Sequence, residues 1–223
     1  MSSLSRIREG IAQFGWRYLI RVISWRLPDW LFRYESDYLM SAEKLHFEPI
    51  QHHDILFRLA EEADADSFAA VRISARTVRE RLKLGDKCAI AVREGKTISM
   101  LWGATGKLYL AEAGSMIDTG DKAYYRYNSF TVPEERQKGL YRGCSEVLYR
   151  YYCSIGKSQL YGVISVFNLP SQIASQKLGN RIVGETTMLA LFGVKVIYFK
   201  YWPHPTRKMI FFVGRPSADA RAV

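Results

Sequence analysis

The residues best suited to chemistry in this chain stand together near its middle, in the run Ser129-Phe130-Thr131-Val132-Pro133-Glu134-Glu135-Arg136-Gln137-Lys138-Gly139-Leu140-Tyr141-Arg142-Gly143. A β-rich stretch ends at Pro133, a turn follows, and a helix begins. The first amides of a helix lack intrahelical acceptors and carry the positive end of its dipole, and a glycine lets the backbone approach a diphosphate closely. Arg136, Lys138 and Arg142 place positive charge around the same turn. The run therefore reads as an anion cradle. From the residues alone it reads equally as a helix start with a solvated basic face, and a lone Arg-x-x-Gly does not separate the two.

Other reactive side chains form no comparable group. His46, His52, His53 and His204 lack metal-ligand spacing, so no metal site is expected. Cys88, Cys144 and Cys153 are odd in number and show neither a CxxC nor a Cys/His pattern. They read as small packed residues in a reducing, cytoplasmic setting. Glu61, Glu62, Asp64 and Asp66 read as a solvated helix end.

The elements that must position the cradle follow from periodicity. Ile7, Ile11, Phe14, Tyr18, Val22 and Trp25 recur at steps of three and four, which predicts one amphipathic helix with arginines on its other faces, ended by Pro28. Two readings of this helix stand: docked on the domain, or lying on an anionic membrane surface. A strand is expected over Tyr38–Phe47 and two helices between Ile55 and Leu84. Cys88–Val92 and Thr97–Thr105 then form an antiparallel pair about the turn Glu94-Gly95-Lys96. Further strands are expected at Leu108–Ala111, Ala123–Val132 and Tyr161–Val166, with helices over Glu146–Ile155 and Ser171–Leu178 and late strands within Thr186–Tyr201.

Composition bounds the answer. With 223 residues, 48% apolar and 24% charged, the chain is long enough for one substantial core and too apolar for disorder. Arginines and lysines interrupt every long apolar stretch, so no clean membrane span is expected, and no secretory leader is apparent. The net charge of +10 calls for an anionic partner or surface without naming it. No helix-turn-helix, RNP motif or finger is present, and nucleic acid is not expected as the partner.

Val132-Pro133 followed by Arg136-x-x-Gly139-x-Tyr141 resembles the signature of the GNAT N-acetyltransferases. Asn168, Ser171 and then Leu178-Gly179 resemble that family's next motif, in the right order. The resemblance covers roughly residues 47–192 and implies an α/β (α+β) fold: a mixed, mostly antiparallel central sheet flanked by helices. Two of its strands would splay to admit the pantetheine arm. It divides the chain into a basic helical extension over 1–37, an acyltransferase domain over 38–212 and a flexible tail over 213–223. By the resemblance, Phe130, Thr131 and Val132 would lie along the arm of acetyl-coenzyme A. Arg136, Gln137, Lys138, Gly139, Leu140, Tyr141 and Arg142 would hold its pyrophosphate, and Asn168 and Ser171 would complete the donor site. Tyr141 departs from the usual Gly or Ala, and Asn180 replaces a frequent aromatic. Ser175 stands where many members carry the tyrosine that protonates the departing thiolate. Ser175, as a water-linked acid, and Tyr127, as a holder of water, are the catalytic candidates.

The reaction so implied is direct attack by a primary amine on acetyl-CoA or another acyl-CoA, without a metal. A basic aromatic helix ahead of such a domain is similar to acetyltransferases of bacterial envelope polysaccharide synthesis, which would make the acceptor a small-molecule amine or amino sugar. A long-chain N-acyltransferase using acyl carrier protein, and a degenerate module binding CoA or membrane without turnover, are the alternatives. The protein is expected in the cytoplasm, with peripheral contact at the inner face of the membrane open through the N-terminal helix and homo-oligomers compatible with all three.

Overall fold

The computed structural model describes residues 3–49, 54–110, 115–201, 207–213 and 221–222. Two helices come first, α1 (Ser3–Phe14) and α2 (Trp16–Ser24), then β1 (Phe32–Ala42) and β2 (Leu56–Leu59). A 3₁₀ segment (Glu62–Val71) and α3 (Ala75–Lys83) lead into β3 (Lys87–Arg93), β4 (Lys96–Ala104), β5 (Lys107–Leu110) and β6 (Ser115–Asp118). Next come β7 (Ala123–Thr131), α4 (Leu140–Ser154), β8 (Gln159–Ser165) and α5 (Leu169–Lys177). The strands β9 (Arg181–Leu191), β10 (Val194–Tyr201), β11 (Arg207–Val213) and β12 (Arg221–Ala222) complete the order.

Among the described residues nine strands form one sheet in the order β11-β10-β9-β1-β8-β7-β4-β3-β2, and β12-β5-β6 form a small second one. Within the large sheet β7 and β8 are parallel, while all the other neighbours are antiparallel. A parallel connection requires a crossover, which α4 supplies. β1 sits between β8 and β9, so the first of the described strands fills an interior place in the sheet.

Alternation along β3 builds the two halves of the core. Ala89 and Ala91 pack with Leu140, Cys144, Leu148 and Tyr152 of α4. Cys88 and Ile90 face the other way and meet Phe68, Val71 and Val78. Fully burying a side chain such as Leu148 or Phe68 contributes about 1.5–3 kcal/mol, so both layers are needed to hold the sheet that carries the site.

Several expectations need correction. The single N-terminal helix divides at Gly15, whose φ of 69° is left-handed and interrupts the helical path. The strand expected from Tyr38 starts at Phe32, inside the stretch read as the helical extension, and ends at Ala42. The stretch after Ile55 begins with β2, not with a helix: Ile55, Phe57 and Leu59 alternate toward the α4 layer, and the backbone pairs with β3. The Ile55/Leu59 spacing fits a helical step as well, which misled the reading. The next segment is 3₁₀, leaving α3 as the one α-helix described there. In the stretch read as a tail, residues 214–220 and 223 lie outside the described residues, and Arg221–Ala222 pair in parallel with Leu108–Tyr109 of β5.

The N-terminal helices dock through their arginines. Arg17 donates to Tyr34 Oη at 3.0 Å and Ser36 Oγ at 2.6 Å and pairs with Glu185. Trp25 Nε1 donates to Glu35 at 3.0 Å, and Phe14 and Tyr18 pack edge-on against Phe167. Burial pushes the Glu35 carboxyl up, and Arg33 and Arg21 beside it work in the opposite direction. With its arginines turned inward, α2 leaves Trp16 69% exposed, with Leu19 and Ile23 also exposed one and two turns on.

Candidate active site

Parallel pairing of β7 with β8 runs from Ala123–Gln159 to Arg126–Gly162 and stops there. Beyond it β7 continues to Thr131 and β8 to Ser165, so the facing edges of the two strands open into a fork. A bulge in β7 accompanies the opening. Met100 faces Phe130 and Trp102 faces Tyr127, leaving two residues, Asn128 and Ser129, opposite Leu101. Asn128 takes φ 42°, the left-handed conformation that a short polar residue tolerates in a bulge. With its amide oxygen turned toward α3, Asn128 accepts from Arg81 at 2.7 Å.

The cradle lies at the mouth of this fork. After Thr131 the chain makes a 3₁₀ turn over Pro133–Glu135, then passes through Gln137 (φ 66°) and Gly139 (φ 77°) before α4 starts. Alternating left-handed residues turn successive N–H groups to one side, the backbone form of an anion nest. Gly139 is the N-cap, and no side chain among the described residues caps the helix, so its first amides keep their donor capacity. The Arg142 guanidinium lies over this turn, 3.5 Å from where a Gly139 Cβ would stand. Arg142 Nη1 donates to Glu48 at 2.8 Å, and its Nε is buried without an acceptor among the described residues. A buried donor of that kind beside uncapped amides fits a diphosphate. Lys138 pairs with Glu135 at 3.2 Å, and Arg136 reaches back to the Thr131 carbonyl at 3.3 Å, over the Phe130 ring. Leu140 is buried in the α4 layer and Tyr141 is half-buried beside Arg126. Phe130 and Val132 pack at the Phe68–Trp102 layer, and the Thr131 hydroxyl meets Ser99 at 2.8 Å.

Asn168 caps α5, accepting from the Ser171 amide at 3.3 Å. That role alone explains the Asn-x-x-Ser spacing. Ser175, one turn further on, is fully buried; its Oγ accepts from Arg126 Nη2 at 3.1 Å. Tyr127 follows Arg126 on β7 and so points to the opposite face of the sheet. There its hydroxyl donates to Asp86 at 2.6 Å, and Arg81 stacks over its ring at 5.1 Å. The two catalytic candidates are thus separated by the sheet, one on the α4–α5 side and one on the α3 side.

Two residues escaped the sequence reading. Asp86 is a buried carboxylate bonded to Tyr127, and it stands immediately before β3, far from Tyr127 in the chain. Arg126, to which the sequence assigns no role, is buried at the closed end of the fork. A charged residue in the middle of an aromatic strand was the available signal for it. His52, His53 and His204 lie outside the described residues. Complete burial pushes the Cys144 thiol up to about 12, and burial pushes Cys88 well above the usual thiol range. An apolar cavity of about 80 Å³ lies on the Tyr127 face of the sheet, bordered by Leu110, Ile117, Val163 and Phe199.

No protein-family model matches the sequence, and no curated protein does. Solved structures do resemble the fold. A protein described as a GNAT-family acetyltransferase, from Novosphingobium aromaticivorans, superposes with a TM-score of 0.51 at 16% identity, over 70% of this chain and 63% of that one. A Drosophila protein superposes with a TM-score of 0.53 at 11% identity, over 80% of this chain and 58% of its own. A GCN5-related N-acetyltransferase-like protein from Streptococcus suis gives 0.50 at 13% identity, over 79% and 68%. The chain thus spans under two thirds of the first two. At these identities the likeness is one of architecture: this chain has a GNAT-like fold, a mixed, mostly antiparallel sheet flanked by helices.

Proposed function

We propose that the chain is an acyl-CoA-dependent N-acyltransferase, transferring acetyl from acetyl-CoA to a primary amine of a small molecule or amino sugar. The observation that carries the reading is the uncapped, doubly left-handed start of α4 at the mouth of the β7–β8 fork, with the Arg142 guanidinium over it. The amides at Gln137–Arg142 and Arg142 itself would hold the pyrophosphate, and the free edges of β7 and β8 would hold the arm. Acetyl-CoA supplies the activated thioester. The free edge of β7 would fix the carbonyl and offer it hydrogen bonds as the oxyanion forms. An amine arriving from the α3 side would meet Tyr127, whose hydroxyl takes the proton released on C–N bond formation while its own passes to Asp86. Burial of Cys88 and Cys144 as thiols favours direct transfer over an acyl-cysteine intermediate.

Calorimetry with acetyl-CoA on the intact protein and on Gly139→Trp tests the donor site. Micromolar binding that the folded variant loses supports the reading. Absence of binding in both sinks it and brings carrier-protein thioesters forward as donors.

A specific feature favours a peripheral location at a bilayer. Trp16, Leu19 and Ile23 form an exposed stripe on α2, and Trp30, 65% exposed, joins the β9–β10 turn through its carbonyl and the Gly193 amide. Phe192 in that turn is 69% exposed and Arg26 stands nearby in the chain. Tryptophans with a cation beside them suit the headgroup region of an anionic bilayer. Among the described residues no helix is long and apolar enough to cross a membrane. Sedimentation with vesicles of mixed phosphatidylglycerol and phosphatidylcholine should capture the protein, and Trp16→Ser/Ile23→Ser should release it. Equal capture of that double variant would refute the contact.

A further inference from the structure

Arg126 is the last residue of β7 to pair with β8, opposite Gly162, and is 6% exposed. Its Nη2 donates to Ser175 Oγ at 3.1 Å, its Nη1 to Ser145 Oγ at 3.5 Å, and Tyr141 lies under the guanidinium at 5.3 Å. Ser145 gives its own proton to the Tyr141 carbonyl at 2.7 Å, so it serves Arg126 only as an acceptor. Among the described residues no carboxylate pairs with Arg126, whereas the other arginines packed on the sheet near α2, Arg17, Arg21 and Arg33, each have one.

Two neutral hydroxyls satisfy two of five guanidinium N–H groups, and a buried cation without a counter-charge is costly to hold. Such an arrangement is retained most readily where an anion arrives during function. The position of Arg126 indicates which anion. An arm anchored at the cradle and running inward along β7 passes Thr131 and ends at Tyr127, about 13 Å of strand for four steps at roughly 3.3 Å per residue, where the fork closes on Arg126. Gly162 opposite leaves that end without a side chain.

We infer that Arg126 is a catalytic residue that receives the thiolate leaving group, with Ser175 as its hydrogen-bonded partner; this rests on the acyltransferase reading above. As the amine nitrogen bonds to the carbonyl carbon, the C–S bond breaks and its electron pair stays on sulfur. The guanidinium stabilises that charge, and the Ser175 hydroxyl, whose proton has no acceptor among the described residues, turns toward the sulfur. No proton has to reach the sulfur in this step. A buried cation thereby does the work of an acid, and a serine suffices at position 175.

The test reads the ionisation of bound CoA by its ultraviolet thiolate absorbance, with the desulfo-CoA complex as blank. In the wild-type complex the thiolate fraction at a given pH should exceed that of free CoA by about tenfold, one pKa unit. Arg126→Gln should abolish the gain, and Arg126→Lys should keep part of it. Ser175→Ala should keep most of it. An unshifted thiol in the wild-type complex overturns the inference even if Arg126→Gln fails to fold, and a shift that survives in Arg126→Gln overturns it as well. Failure of both CoA and desulfo-CoA to bind would instead remove the donor reading on which the inference stands.

Discussion

Replacing Gly143 by alanine tests how α4, and with it the cradle, is held against the sheet. A Cβ at this position would stand 2.2 Å from Phe57 Cε1 on β2, with two further ring atoms within 2.7 Å. Overpacking of this kind costs about 1–3 kcal/mol. Alanine in place of glycine inside a helix returns about 1 kcal/mol of propensity. The net expectation is a loss of about 1 kcal/mol, a fall in Tm of roughly 2–4 °C for a chain of this size. In a Phe57→Ala background the obstructing ring is gone and only the propensity gain is left. There Gly143→Ala should raise Tm by roughly 2–4 °C, a coupling of about 2 kcal/mol across the cycle. Thermal melts followed by circular dichroism on the four proteins give the answer. The same change in Tm in both backgrounds would refute the argument that Phe57 sets the seat of α4.

Asp86→Asn and Tyr127→Phe should each lower kcat about 100-fold with little change in the KM for acetyl-CoA, and the double variant should lose little more; additive losses would argue against a single proton path. The Asp64 carboxylate is held below the usual range by the Arg58 guanidinium, with both contacts at 2.6 Å. Its contribution is therefore present above the unfolded value of about 3.9 and is lost as the pH falls through the lower folded value. Asp64→Asn should cost about 1 kcal/mol at pH 7, since Arg58 is partly exposed, and little near pH 2, as read from urea melts at the two pH values. Alkylation of the native protein at pH 8 should modify Cys153 alone, because Cys88 and Cys144 are buried thiols; three modified cysteines without denaturant would contradict their packing.

The turn and helix start that would form the cradle were legible in sequence because they are local: Pro133, Gly139 and three basic residues lie within ten positions, and their conformations depend on their immediate neighbours. The β3–β4 hairpin and β7 were legible for the same reason. β2 was not, since Ile55 and Leu59 satisfy a helical and an alternating pattern together, and only pairing with β3 decides between them. The break at Gly15 was hidden by a hydrophobic stripe that runs through it unchanged. The roles of Arg126 and Asp86 depend on partners far away in the chain, Ser175 and Tyr127, which no spacing rule reaches.

The interior place of β1 bears on the order in which the molecule can assemble. Ala42 pairs with Leu160 and Phe32 with Leu191, so β1, which leaves the ribosome well before β8 and β9, has neither neighbour until they have been made. Closing those long loops carries an entropic cost that local hairpins avoid, and contacts of such separation slow folding. The hairpin β3–β4 and the crossover β7-α4-β8 are able to form while β1 waits, tethered to α1 and α2. During that interval β1 carries two unsatisfied edges, the usual template for pairing between chains. Arg17 of α2 donates to Ser36 of β1 and Trp25, just after that helix, to Glu35, contacts close in the chain that need neither β8 nor β9 in order to form.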